Sequence, residues 1–367
     1  MTSGGAAALS IGVVAATDVS AAAQLACLLE ASAPKPGNVS PGRHFADACY
    51  EDFLASAAAI GRPLAGAGTR PVGATVRLAV EATARWTRSN TNLGIVLLLA
   101  PLARAALLDE KGAVPLFLAH HEKKGYGPFL DSLRGALRRV LEATTVDDAR
   151  EVYAAIRCAA PGGLGRAEAQ DVADDPTMTL LEVMRLASDR DGIAREYATA
   201  FEVTFETGAP VLDRARRDGL SWDAAIVETY LTLIAAAPDT HVARRRGAAV
   251  AAEVSQRART ALAAGGVRTA AGRRAIDEMD LGLRDARNTA NPGTAADLTA
   301  AAIFVVLLGG GWSPSLEASA PAEASASAEA SASAKASASA TASASARASA
   351  SARASADRSA DRSADSP

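Results

Sequence analysis

Aromatic side chains make up only 4% of this 367-residue chain, and few segments alternate apolar and polar residues as a half-buried strand does. A sheet-rich core is therefore not expected. Cysteines are few as well: Cys27, Cys49 and Cys158 lack metal-ligand spacing, and an odd set is a poor disulfide framework. A reducing, cytoplasmic setting is the expectation. No basic residue precedes Lys35, so the stretch from Ser10 to Ala16 lacks the charged start of a secretory signal. Neither residues 95–100, interrupted by Pro101 and Arg104, nor residues 303–308 form an apolar run long enough to cross a bilayer. There is no basic surplus either. Formal net charge is −3, with acids and bases interspersed, which argues against a broad face for nucleic acid or for an anionic membrane. The pair His120-His121 beside Glu122 lacks the i, i+4 spacing of a helical zinc site.

What is present in quantity is alanine and leucine at helical spacing. The pattern predicts helices near 18–33, 50–60, 72–88, 92–108, 128–142, 146–159, 177–187, 190–206, 222–236, 241–263, 268–286 and 295–308. Thr145 with Asp148, and Thr294 with Asp297, fit capping boxes. The fold expected is all-α: a multi-helix globular domain over residues 1–312 with a buried central helix. That helix begins at Ser89-Asn90-Thr91-Asn92-Leu93-Gly94 and continues into a segment apolar on every side, which belongs inside a protein. From Ser313 the chain becomes alanine and serine with a guest at every sixth position, among them Glu323, Glu329, Lys335 and Thr341. Such a segment has no large side chain to bury, so residues 313–367 are expected to be a disordered tail.

Four polar interruptions carry the functional reading. Residues 33–44 hold Lys35, Gly37, Asn38, Gly42, Arg43 and His44 between prolines, and read either as a phosphate-facing loop or as a solvated connector. Residues 161–175 combine Gly162, Gly163 and Gly165 with Glu168, Asp171, Asp174 and Asp175. They could bind phosphate and magnesium or form a plain surface loop, and they lack the lysine and hydroxyl of a P-loop. Asp239 opens a helix with Thr240, His241 and Arg244-Arg245-Arg246, as a cap before an arginine face or as part of a site. Asn291-Pro292-Gly293-Thr294 precedes Asp297, which capping by Thr294 would fully explain. The start of the central helix at Asn90, Thr91 and Asn92 offers unpaired backbone donors to an anion, or is simply capped.

Taken in order, Pro34-Lys35-Pro36-Gly37-Asn38-Val39, Gly42-x-His44, Asn90-Thr91-Asn92-Leu93-Gly94, the glycine run through Glu168, Asp239-Thr240 and Asn291-Pro292-Gly293-Thr294 resemble successive blocks of the triphosphoribosyl-dephospho-CoA synthase family. The resemblance spans residues 20–310 or so and implies an all-α enzyme. It implies transfer of the triphosphoribosyl part of ATP to the 2′-hydroxyl of 3′-dephospho-CoA with release of adenine, in making a prosthetic group. Another nucleotide-ribosyl transfer with a different acceptor, or a non-catalytic nucleotide-binding helical protein, are the alternatives. Asn92 stands where citrate-lyase-type members have histidine. Ala46 stands where they have an acid, with Asp47 next, and three arginines replace an Arg-Gly-Gly ending. These departures bear most on the acceptor.

On that reading ATP and the acceptor are the partners, magnesium is the cofactor, and no oligomeric state is implied. Asp47, Glu168 and His44 are the expected proton-transfer residues. Lys35, Gly37, Asn38, Arg43, Asn90, Thr91, Asn92, Gly94, Gly163, Gly165, Thr240, Arg244, Arg245, Asn291 and Gly293 are the expected substrate contacts. Asp239, Asp297 and Asp171 are the expected metal ligands.

Overall fold

A computed structural model describes residues 16–108, 126–285 and 288–312. The expected tail, residues 120–122, and the apolar start before residue 16 lie outside the described residues. The described chain up to Pro314 belongs to one compact unit. Fifteen α-helices occur among the described residues, with only an isolated β-bridge between Ser40 and Arg43. They are α1 (Ala16–Ser32), α2 (Tyr50–Ala59), α3 (Gly61–Ala65), α4 (Val72–Ala84), α5 (Leu93–Leu107), α6 (Tyr126–Glu142), α7 (Val146–Ala159), α8 (Leu180–Ala187), α9 (Gly192–Thr199), α10 (Ala209–Arg217), α11 (Trp222–Ala236), α12 (Thr240–Arg246), α13 (Ala248–Ala263), α14 (Ala270–Leu283) and α15 (Gly293–Leu308). No described helix is long and apolar enough to cross a membrane.

Two helices share the centre. The expected one, α5, is buried from Ile95 through Ala103. The other is α15, whose run from Leu298 to Leu308 is buried throughout; it packs on α1, α5, α10 and α11. A helix apolar on every face has no solvent side to offer, so both are enclosed. Pro101 lies inside α5 and cannot donate to the Leu97 carbonyl one turn back. The buried Tyr197 hydroxyl of α9 donates to that carbonyl at 2.6 Å, so the proline's missing bond becomes a tie between two helices.

Two expected helices are interrupted. The 190–206 helix ends at Thr199, where Ala200 and Phe201 turn left-handed (φ 51 and 59). A π-helical turn, Thr204–Gly208, then leads into α10. Glu196, fully buried, accounts for the break: its carboxylate accepts from the Val203 and Thr204 backbone N–H at 2.9 Å each. A side chain that captures backbone donors in this way replaces the helical ladder locally. The 241–263 helix breaks at Gly247, where φ is +89, a conformation glycine tolerates without a Cβ penalty. Short α3 escapes the sequence pattern, since five residues carry too little periodicity.

The two capping boxes fare differently. Thr145 and Asp148 cap α7 reciprocally. Thr294 and Asp297 do not: α15 starts two residues earlier than that box requires, after Pro292. Thr294 instead bonds the Thr240 hydroxyl at 3.0 Å and accepts from the His241 N–H at 3.2 Å. The N-terminal donors of α15 are met from outside by Asp239, which caps α12 through Val242 N–H (3.0 Å) and accepts from Ala295 N–H (2.8 Å). Asp297 is therefore released from the capping duty its position suggested.

Candidate functional site

A cavity of about 690 Å³ opens where these polar interruptions converge, within the size range of small-molecule sites. One side is polar. It is built from Glu30 near the end of α1, Asn38 and Asp47, the start of α5 from Asn90 to Gly94, α12 with His241, Arg244 and Arg245, and Asn291, Gly293 and Asp297 at the start of α15. Apolar lining comes from α7, α8 and the loop at 160–172, the last of which runs beside Arg244 and Arg245. Arg88 and Arg190 also line the space, as does Asp191.

Asp297 defines the polar side. Its carboxylate accepts no hydrogen bond from the described residues. Desolvation, with the negative charges of Glu30, Asp239 and Asp191, holds its proton affinity well above the usual carboxylate range; Arg244 opposes this weakly. A carboxyl group desolvated without a counter-charge costs stability and marks a candidate functional group. The backbone of α5 comes close to meet it: a Cβ on Gly94 would fall 2.0 Å from Asp297 Oδ2. No larger residue fits there while the Asp297 carboxylate keeps its place.

Two further polar atoms have no protein partner. Asn291 Oδ1 and Arg244 Nε are both buried without one, and both residues face the cavity. Buried polar groups are normally satisfied, so a ligand carrying both donors and acceptors is the natural complement. Arg244 also pairs with Asp191 at 3.3 Å, while Asp191 caps α9 through the N–H groups of Ile193 and Ala194. His241 Nδ1 meets the Asn291 carbonyl at 2.9 Å. Burial, followed by the neighbouring arginines Arg244 and Arg245, pushes the His241 pKa down, so the neutral imidazole is favoured.

At the start of α5, Asn90 Oδ1 accepts from Leu93 N–H (3.2 Å), and Asn92 Nδ2 donates to the Thr83 hydroxyl (3.1 Å). Thr91 Oγ1 shares a hydrogen bond with Ser56 Oγ. The asparagines thus hold the helix end in place, and its first N–H groups border the cavity.

Of the expected site residues, Asn38, Asp47, Asn90, Thr91, Asn92, Gly94, Gly165, Asp171, Arg244, Arg245, Asn291, Gly293 and Asp297 reach this cavity. Others lie behind it. Lys35 is fully buried and turned to Glu30, Nζ to Oε1 3.0 Å. Gly37, at φ +74, donates to Asp280 Oδ1 at 2.7 Å, and Arg43 pairs with Asp280 at 3.0 Å. The Arg284 guanidinium bonds both Asp280 and the Asn38 carbonyl (2.8 Å). The Pro34–Pro41 loop is thus clamped from behind, and only Asn38 is presented. His44 accepts from Tyr50 N–H at 3.1 Å on an exposed turn. Glu168 and Gly163 are exposed and off the wall, and Thr240 bonds Gly192 N–H at 3.0 Å.

As metal ligands, two of the three expected aspartates are spoken for. Asp239, pushed up by burial to a pKa of about 6, spends its oxygens on backbone N–H groups of α12 and α15. Asp171 accepts from Ala167 and Ala173 N–H at 2.6 and 2.9 Å, bonds that hold its carboxyl below the usual range, and so fastens the glycine loop. Among the described residues no group of three or more His, Cys, Asp or Glu is disposed to hold a metal ion. Magnesium, however, commonly takes one or two carboxylates and draws its other ligands from phosphates and water. Unpartnered Asp297 fits that requirement, with the charge of Glu30, itself paired to Lys35, close by.

Glu30, Arg88, Arg190 and Asp191 escaped the sequence reading. Glu30 sits in an apolar helix with nothing to mark it except a charge on the buried face. Asp191 reads as a simple cap, and the two arginines look like surface residues.

Comparison with known proteins bears on the fold and the family. The structure is similar to the crystal structure of an archaeal protein assigned as a triphosphoribosyl-dephospho-CoA synthase, from Archaeoglobus fulgidus. The identity is 29% and the TM-score 0.51, over 70% of this chain and 99% of the other. Proteins assigned as 2-(5''-triphosphoribosyl)-3'-dephosphocoenzyme-A synthases are also similar. The one from Pseudomonas paraeruginosa is 40% identical over 129 residues, and the one from Pseudomonas putida 41% over 115. These matches span 43% and 40% of the relatives' own lengths, and 34% and 31% of this chain. A family model matches residues 16–315, and the chain belongs to the ATP:dephospho-CoA triphosphoribosyl transferase family.

Proposed function

We propose that this protein transfers the triphosphoribosyl group of ATP to the 2′-hydroxyl of 3′-dephospho-CoA, releasing adenine. The observation that carries the reading is the convergence of Asn38, the Asn90–Gly94 helix start, Arg244, Asn291 and the unpartnered Asp297 on one cavity. Such a transfer passes through an oxocarbenium-like state at the ribose. Three tasks follow. The triphosphate meets the guanidinium groups of Arg244 and Arg245, with Arg88 and Arg190 at the cavity wall, and the N–H groups at the start of α5 add neutral donors. Asn291 Oδ1 and Arg244 Nε supply an acceptor and a donor for the polar edges of the substrates. Asp47, on the same wall, takes the proton of the attacking hydroxyl.

Asp297 is where magnesium would be held, with the Glu30 charge near it, and there it would neutralise phosphate charge. The test is incubation with ATP, magnesium and 3′-dephospho-CoA, followed by chromatography of the bases. Adenine appears in step with coupled product, and only when the acceptor is present. Asp47→Asn and Asp297→Asn each lower turnover by about 10²–10⁴-fold in folded protein. Adenine release with a different acceptor would move the assignment to another ribosyl transfer. Nucleotide binding without adenine release under any acceptor would end it.

A further inference from the structure

Half of the cavity has no task in the chemistry at the ribose. Its apolar side is formed by Ile156 of α7, Val183, Met184 and Leu186 of α8, and Leu164 of the glycine loop. Leu164 and Leu186 are 44% and 52% exposed, which places them among the few large apolar side chains of the described residues left open to water. Exposed apolar surface that continues a polar ligand site indicates a ligand with an apolar portion. The loop at its edge is fastened at its base, by Asp171 and by a bond from the Tyr153 hydroxyl to the Gln170 carbonyl. Its glycines, Gly162 and Gly165, remain exposed beside the apolar face and offer backbone amides there.

We propose that this side is the berth of the acceptor's extended arm, the acyl-amide-thiol chain that distinguishes dephospho-CoA from a bare nucleotide. The inference rests on the triphosphoribosyl-transfer reading. A triphosphate offers nothing that apolar side chains would bind, and an adenine ring, common to ATP, dephospho-CoA and ADP, would not discriminate between them. The dephospho-CoA arm offers geminal methyls and methylene runs for Leu164, Met184 and Leu186, and two amide groups for the loop backbone. The polar half of the cavity then holds the reacting ribose and phosphates, and the apolar half selects which hydroxyl-bearing nucleotide is accepted.

The experiment compares two acceptors with ATP as donor: 3′-dephospho-CoA, and ADP, which is its nucleotide half without the arm. The full acceptor is expected to give the higher kcat/KM, by about tenfold or more, since each apolar group in such a pocket contributes roughly 10–200-fold. Leu164→Ser and Leu186→Ser shrink that preference by raising KM for 3′-dephospho-CoA, with KM for ADP and for ATP unmoved. Leu281→Ser, an exposed leucine of α14 away from the cavity, leaves the preference intact. Calorimetric titration of both acceptors makes the same comparison without turnover. No adenine release with either acceptor sinks the reaction itself. Equal affinities for the two acceptors, or variants that weaken both alike, sink the arm site.

Discussion

At the scale of the residue, Asp297 is the group whose cost is most visible. Its folded pKa is raised, so the folded chain holds a proton that the unfolded chain releases, and its contribution falls as pH rises above the ordinary carboxylate value near 3.8. Asp297→Asn removes that cost. The variant is therefore expected to melt at a higher temperature than the parent at pH 7.5 while losing adenine release, the combination that separates a site residue from a structural one. A lower melting temperature would assign Asp297 to the scaffold. Lys35 is the opposite case. Its pairing with Glu30 is buried on both sides, and removing one partner strands the other charge at a cost of about 3–5 kcal/mol. Lys35→Met should unfold at markedly lower denaturant, and adding Glu30→Gln should restore much of the loss. If the single variant is as stable as the parent, the pair is not the anchor described above.

At the scale of the element, the close approach of α5 and α15 decides whether the site exists. Gly94→Ala would place a methyl group against the Asp297 carboxylate. The helices must part or the carboxylate must swing away, either costing on the order of 1–3 kcal/mol. The variant should lose most of its turnover for a modest fall in melting temperature, and unchanged kinetics would show that Asp297 need not stay where it is. The elements also show how far the chain could be read in advance. The central helix α5 was legible because a stretch apolar on every side can only be interior, whereas α15 was expected as a helix but not as a second centre. The breaks at Ala200 and Gly247 were not legible as breaks, because Glu196 and Arg246 continue a helical pattern. Only the inward turn of the Glu196 carboxylate, a tertiary event, separates α9 from α10. The Thr294–Asp297 spacing misled for a related reason. A capping box needs the threonine at the N-cap, and the backbone after Pro292 starts the helix too early.

At the scale of the whole molecule, Glu196, Asp239 and Asp297 are carboxyls pushed up by burial, Glu196 to about 7 and Asp239 to about 6. Each folded-state pKa lies above its unfolded value, so each binds more protons folded than unfolded within its window, and stability falls as pH rises through it. For Glu196 that window runs from 4.5 to about 7. His241 works the other way: its lowered pKa withdraws stability as pH falls below 6.5. A comparison of Glu196→Gln with the parent isolates the carboxyl. The melting temperature of the variant relative to the parent should climb between pH 5 and pH 7.5. The climb should be equivalent to a few kcal/mol, since each tenfold change in proton affinity is worth about 1.4 kcal/mol. A constant difference across that range would show that Glu196 is ionised throughout in the folded protein.

The amino-acid order alone determined that the fold is helical, that the apolar segment after Asn92 is interior, and where the polar interruptions fall, because periodicity and turn chemistry act over a few residues. It could not decide which side chain in each interruption faces the cavity. Lys35 and Asp239 turned inward to satisfy Glu30 and the first N–H groups of α12 and α15, whereas the Asp297 carboxylate and Asn291 Oδ1 were left without partners. Those outcomes depend on what lies across the space from each residue, and that is set when distant helices pack, not along the chain.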